Sequence, residues 1–158
     1  MSTGNKVRSL DEALAWRATL PGPLVFTNGV FDLLHPGHVE LLERARGEGE
    51  ALAVGVNTDS SARRLGKGNE RPLVPEAARA RVLAGLSAVD CVILFPEVTP
   101  LELIQSLRPD VLVKGADYTR EQIVGADWVE AKGGRVVRVP LVTGFSTTAL
   151  VERLRASS

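Results

Sequence analysis

Five short apolar runs, rich in β-branched residues and not alternating with polar ones, constrain the fold of this chain more than any other feature. They are Leu24 to Asn28, Ala51 to Asn57, Cys91 to Phe95, Val111 to Val113 and Arg135 to Pro140. Runs of this kind suit strands buried on both faces. Helical segments lie between them. Ser9-Leu10-Asp11-Glu12 has the form of a capping box opening a helix over about residues 9–20, which ends before Pro21-Gly22-Pro23. Thr99-Pro100-Leu101-Glu102 combines a cap, a proline at the first helical position and a capping box, and Thr119-Arg120-Glu121-Gln122 repeats the cap pattern. Strands joined through helices pair in parallel, so the expected fold is α/β: a five-stranded parallel sheet with helices on both faces. At 158 residues without a repeat or second-domain boundary, one domain over 1–158 is expected, with its core from about 24 to 155.

Ligands of such sheets bind beyond the carboxyl ends of the strands, where the strand order reverses. Four blocks follow four of the runs at that edge: Thr27 to His38, Asn57 to Asp59, Lys114 to Tyr118 and Gly144 to Thr148. The first holds the only two histidines, in His35-Pro36-Gly37-His38, and the amphipathic stretch Val39 to Ala45 follows at once. His38 therefore falls near a helix N-terminus, where free N–H groups and the helix dipole favour anions. Two metal ligands at this spacing are the alternative. Zinc would need further ligands, and the chain offers only Cys91, in an apolar run that suits a buried thiol. No metal-binding residue is assigned.

Lys plus Arg and Asp plus Glu are 19 each, so the formal net charge is zero and nothing suggests nucleic-acid binding. A phosphate site must then be local. The N-terminal residues lack the apolar stretch of a secretion signal, and no run approaches the ~20 residues of a membrane span, so a cytoplasmic protein without a membrane partner is expected.

Thr27-Asn28-Gly29-Val30-Phe31-Asp32-Leu33-Leu34-His35-Pro36-Gly37-His38 resembles the signature of the HxGH nucleotidyltransferases, the cytidylyltransferase-like superfamily. Four later blocks, Val56 to Ser60, Lys67 to Pro72, Val113 to Tyr118 and Gly144 to Thr148, stand in the order found in the adenylyltransferases that activate D-glycero-β-D-manno-heptose 1-phosphate. The resemblance runs from about Leu10 to about Leu154 and implies a Rossmann-like nucleotidyltransferase domain. It implies His35, His38 and Lys67 as catalytic residues. For the nucleotide it implies Thr27, Asn28, Gly29, Phe31, Gly37, Arg79, Lys114, Gly115, Asp117, Gly144, Phe145, Ser146 and Thr147 beside the histidines. Asp32, Asn57, Asp59, Lys67 and Arg71 would face the acceptor. Ser146 is also expected to cap the closing helix, and the stretch from Gly66 to Asn69 to be a loop. Val151 stands where relatives with the longer form of the last block have an arginine.

The implied reaction joins AMP from ATP to a sugar 1-phosphate, with Mg²⁺ bound with ATP and pyrophosphate released. A homodimer is a further implication, although no apolar stripe marks an interface. Alignment and charge neutralisation carry such chemistry, and an acceptor phosphate already ionised needs no general base. A cytidylyltransferase acting on glycerol 3-phosphate or a similar alcohol phosphate, and a non-catalytic nucleotide-binding regulator, are the rival readings.

Overall fold

A computed structural model describes residues 2–66 and 70–157. Five strands form one parallel sheet in the order β3-β2-β1-β4-β5: β1 Leu24–Gly29, β2 Ala51–Asn57, β3 Cys91–Phe95, β4 Val111–Gly115 and β5 Arg135–Val139. The helices are α1 Leu10–Ala18, α2 Pro36–Arg46, α3 Asp59–Arg63, α4 Glu76–Ala84, α5 Leu101–Leu107, α6 Ala126–Ala131 and α7 Thr147–Ala156.

Successive side chains of each strand serve opposite faces, giving two cores. Phe26, Ala53, Ile93 and Leu112 pack against Ala13 of α1, Leu103, Ile104 and Leu107 of α5, and Val129 of α6. Val25, Val54, Val92 and Val113 pack against Leu42 of α2 and Ala80 and Leu83 of α4. The expectation of burial on both faces holds for β1 to β3 and fails for β5, where Arg135 and Arg138 are exposed. An outer strand has one free edge, and charged side chains there discourage pairing with another chain. The other edge is covered by an N-terminal segment without a sequence signal: Val7 bridges Val92, and the Arg8 amide donates to the Val92 carbonyl at 2.9 Å.

The Ser9 capping box is present, with Ser9 Oγ accepting from the Glu12 amide and Glu12 Oε1 from the Ser9 amide. Thr99 does not act as the expected cap. Pro100 takes that position, α5 begins one residue later at Leu101, and no side chain caps it. The pattern at Thr119 yields only one 3-10 turn, Arg120–Gln122, with the Gln122 side chain accepting from the Thr119 amide.

The feature that makes room for a ligand is a split in the sheet. β1 pairs with β2 over six residues, from Leu24↔Ala51 to Gly29↔Val56, but with β4 only at Val25↔Val111 and Phe26↔Leu112. Beyond Leu112 the two strands part at the point where the strand order reverses. Lys114 Nζ spans the gap and donates to the Asn28 carbonyl at 2.9 Å.

Candidate active site

The split opens into a cleft of about 380 Å³ bordered by Asn28, Gly29, Phe31, Asp32, His35, Gly37, His38, Arg71, Lys114, Gly115, Asp117, Phe145, Ser146 and Thr147. Residues from four separate stretches of sequence meet there. A larger hollow of about 500 Å³ lies near the amino ends of β4 and β5 and includes none of the expected site residues.

The histidine pair builds the start of α2. His35 is its N-cap, Pro36 occupies the first turn, and the His38 and Val39 amides bond back to the His35 carbonyl. The Gly37 amide donates to His35 Nδ1 at 3.1 Å, and the His35 amide donates to His38 Nδ1 at 3.2 Å. An amide can only donate, so each Nδ1 carries a lone pair and each neutral ring keeps its proton on Nε2. The rings stack with centroids 3.8 Å apart. Burial lowers the pKa of His35, while burial and then the neighbouring His35 push His38 down to about 4 from 6.5. Both are therefore neutral Nε2–H donors at pH 7. Gly37 is required by space: a Cβ would lie 2.8 Å from His35 Cε1 and 2.9 Å from Nδ1.

Phe31 supports the pair. Its ring meets His38 at 5.4 Å, and its backbone is left-handed at φ 52°, a conformation costing about 1–2 kcal/mol for a residue with a Cβ. Gly29 leaves room for this ring, since a Cβ would approach Phe31 Cε2 to 3.1 Å.

A second helix N-terminus faces the same cleft. Ser146 caps α7 by accepting from the Ala149 amide at 3.0 Å, and Thr147 Oγ1 donates to the Leu33 carbonyl, tying α7 to the histidine loop. Phe145 lies 6.2 Å from His35 with nearly parallel rings. On the β4 side, Lys114 also lies over the Tyr118 ring at 4.6 Å, and a Cβ on Gly115 would come within 2.6 Å of Asp117 Oδ1.

Several expected residues sit elsewhere. Arg79, expected to meet a phosphate, is fully buried: its guanidinium donates to the carbonyls of Val74, Val30 and Asn57 and pairs with Asp59. Its occupied donors and lack of solvent contact explain why it does not line the cleft. Asp59 is correspondingly engaged by Arg79 instead of facing an acceptor. Thr27 is buried in β1 and Gly144 forms a left-handed turn before Phe145; neither borders the cleft. Asp32 borders it, but its carboxylate accepts from the Leu73 and Val74 amides and pairs with Arg71 Nε at 2.8 Å. Burial would raise the Asp32 pKa, yet these bonds and the Arg71 charge hold it below the ordinary value. Lys67 lies outside the described residues.

Asn57 borders an adjoining chamber of about 210 Å³, which shares Asn28, Gly29, Val30, Lys114 and Tyr118 with the main cleft and adds Leu65, Val98, Thr99 and Gln122. Sequence reasoning missed Thr99 and Gln122 as wall residues because both carried helix-start signals. It also missed Leu141, 63% exposed and against Gly115. Its position just past a strand's carboxyl end was the available signal.

The cytidylyltransferase-like family matches residues 26–156, nearly the whole of this architecture. The chain belongs to that family. It is a nucleotidyltransferase. Over 131 residues it is 63% identical to the bifunctional protein HldE of Acidiphilium cryptum, covering 83% of this chain and 27% of that protein. It is 55% identical over 150 residues to HldE of Bradyrhizobium diazoefficiens, covering 95% and 30%. The chain thus spans less than a third of these relatives. Among solved structures, the lipopolysaccharide core biosynthesis protein of Thermoplasma volcanium superimposes with a TM-score of 0.63 at 29% identity, covering 77% of this chain and 97% of the other. Pantothenate synthetase of Thermus thermophilus, with a TM-score of 0.58 at 23% identity and coverage of 87% and 62%, shares the fold.

Proposed function

We propose that this nucleotidyltransferase is an adenylyltransferase joining AMP from ATP to a sugar 1-phosphate, with heptose 1-phosphate as the acceptor. The observation carrying this reading is the convergence of two helix N-termini, α2 and α7, and two Nε2–H imidazoles on one cleft. That arrangement offers N–H and hydroxyl donors to a polyphosphate, and an acceptor phosphate already ionised calls for no general base. An acceptor phosphate oxygen attacks the α-phosphorus in line, a new P–O bond forms, the bond between the α-phosphorus and the bridging oxygen breaks, and pyrophosphate leaves with that oxygen. His35, His38, the α7 amides and Lys67 would meet the charge growing on the leaving group.

The adjoining chamber suits the acceptor: Asn57, Thr99 and Gln122 offer neutral hydrogen-bonding groups for sugar hydroxyls, and Lys114 at the shared wall offers a cation for the phosphate. The exposed Leu141 and Phe145 at the cleft mouth offer apolar surface to a purine.

Among the described residues no three His, Cys, Asp or Glu side chains gather as a metal cage. The donor set fits Mg²⁺ carried by the triphosphate, with the exposed Asp117 as the available carboxylate. When bound, Mg²⁺ supplies charge neutralisation on the phosphates. Residence in the cytoplasm agrees with this chemistry, and among the described residues no helix is long and apolar enough to cross a membrane.

Pyrophosphate release measured with ATP or CTP against a panel of sugar 1-phosphates and glycerol 3-phosphate tests the reading. The expected result is turnover with ATP and a heptose 1-phosphate. A higher kcat/KM with CTP and glycerol 3-phosphate overturns it.

A further inference from the structure

Two charged side chains with almost no solvent contact, Asp32 at the border of the cleft and Arg79, meet at one residue, Val74. Asp32, its side chain 1% exposed, accepts the Val74 amide at 2.9 Å and both oxygens accept the Leu73 amide at 2.9 Å. Arg79, its side chain 0% exposed, donates through Nε to the Val74 carbonyl at 2.8 Å. Val74 is therefore held at its N–H by an anion and at its carbonyl by a cation. The remaining Arg79 contacts reach the end of β2 at the Asn57 carbonyl, 2.8 Å, the exit of β1 at the Val30 carbonyl, 2.7 Å, and Asp59 at the start of α3, 2.7 Å. Val30 and Asn57 border the acceptor chamber, and Arg71, paired with Asp32, borders the main cleft.

Burying a guanidinium is costly, and packing alone would be served as well by an apolar side chain of similar volume. A planar fork of donors does what an apolar group cannot, which is to fix several carbonyls at set separations. Here two of the carbonyls, those of Val30 and Asn57, belong to residues that border the chamber, and the third belongs to segment 71–74, whose Arg71 borders the main cleft.

We propose that Arg79 and Asp32 are positioning residues, a cross-brace that holds segment 71–74 against the exits of β1 and β2 and so sets the width of the acceptor chamber. They act through Val30, Asn57 and Arg71 and touch no substrate. The histidine pair lies outside the brace, anchored by its own bonds within α2.

Arg79→Lys keeps the charge and loses the fork. In this variant KM for the sugar 1-phosphate rises about tenfold or more, while the Kd for a non-hydrolysable ATP analogue changes less than about threefold. A residue serving stability alone would lower the folded, active fraction and leave both constants unchanged, since neither depends on that fraction. Hydrogen exchange gives a readout without substrate: the Leu73 and Val74 amides lose protection and the His38 and Val39 amides keep it. That arm is independent of the proposed acceptor, so failure of the heptose reading and failure of the brace are separable. Should Arg79→Lys not fold, Asp32→Asn tests the brace from its other side. Asp59→Asn, at a side chain 25% exposed, shows the same shifts in smaller measure. Unchanged KM together with unchanged exchange at Leu73 and Val74 in the folded variants overturns the proposal.

Discussion

The His35 and His38 rings are held in one tautomer by amides that can only donate, and this has measurable consequences. Nitrogen chemical shifts of the free protein should show the Nε2–H form for both rings at pH 7, with His38 titrating near pH 4. A His38 midpoint above 6 would contradict the buried, paired environment. If the rings donate to charge that develops during transfer, His35→Ala and His38→Ala each lower kcat by on the order of 10² to 10³. The double variant loses less than the product, because groups serving one charge act as a unit. Gly37→Ala is expected to resemble the histidine variants, since its methyl would overlap His35 Cε1 and displace the ring. Elemental analysis closes the metal alternative: zinc bound at one equivalent and lost on substituting either histidine would refute the donor role.

The helix starts differ in how their free amides are satisfied, and the differences separate stability from function. Ser9 closes a capping box on α1, far from the chemistry, so Ser9→Ala should cost about 1 kcal/mol in denaturant unfolding and leave kcat unchanged. Thr99 presents the same sequence signal, yet caps nothing and lines the acceptor chamber. Thr99→Ala is therefore expected to change stability by less than about 0.5 kcal/mol while raising KM for the sugar phosphate. Lys67 precedes, by four positions in the sequence, Arg71, whose place in the structure is fixed by Asp32. Under the proposed reaction Lys67→Ala raises KM for ATP and lowers kcat with folding intact, and unchanged steady-state kinetics would remove Lys67 from the site.

Across the whole molecule, the site imposes a pH dependence on stability. Unfolded His38 takes up a proton near 6.5, whereas the folded ring does so only near 4, so between those values the unfolded state binds more protons. Stability from this group is fully present above about pH 6.5 and is lost as pH falls toward 4. The bound is about 3 kcal/mol, lowered by solvent screening at the cleft edge. Asp32 acts in the same direction at lower pH: its depressed pKa adds stability above its unfolded value that disappears as pH falls through the folded one. Urea midpoints at pH 7 and pH 5 should therefore fall less in His38→Gln than in the native protein. An equal fall in both would show that His38 is not the titrating group.

Local pattern alone determined the strands, their parallel pairing and the edge at which the site lies, because buried strands and helix faces leave short-range signatures in residue type and spacing. It also placed Ser146 at a helix start and His35, Gly37 and His38 at another, since capping is a matter of neighbours. It could not tell which arginine near the cleft faces inward. Arg79 was an expected phosphate contact and became a buried clamp, because its partners Val30, Asn57 and Val74 are brought together only when β1, β2 and segment 71–74 converge. Asp59 followed the same course as the partner of Arg79, Thr27 lies buried in β1, and Thr99 exchanged a capping role for a place in a wall. The split between β1 and β4 is likewise a product of sheet geometry, a change of pairing partner at the reversal of strand order that no single run of residues records.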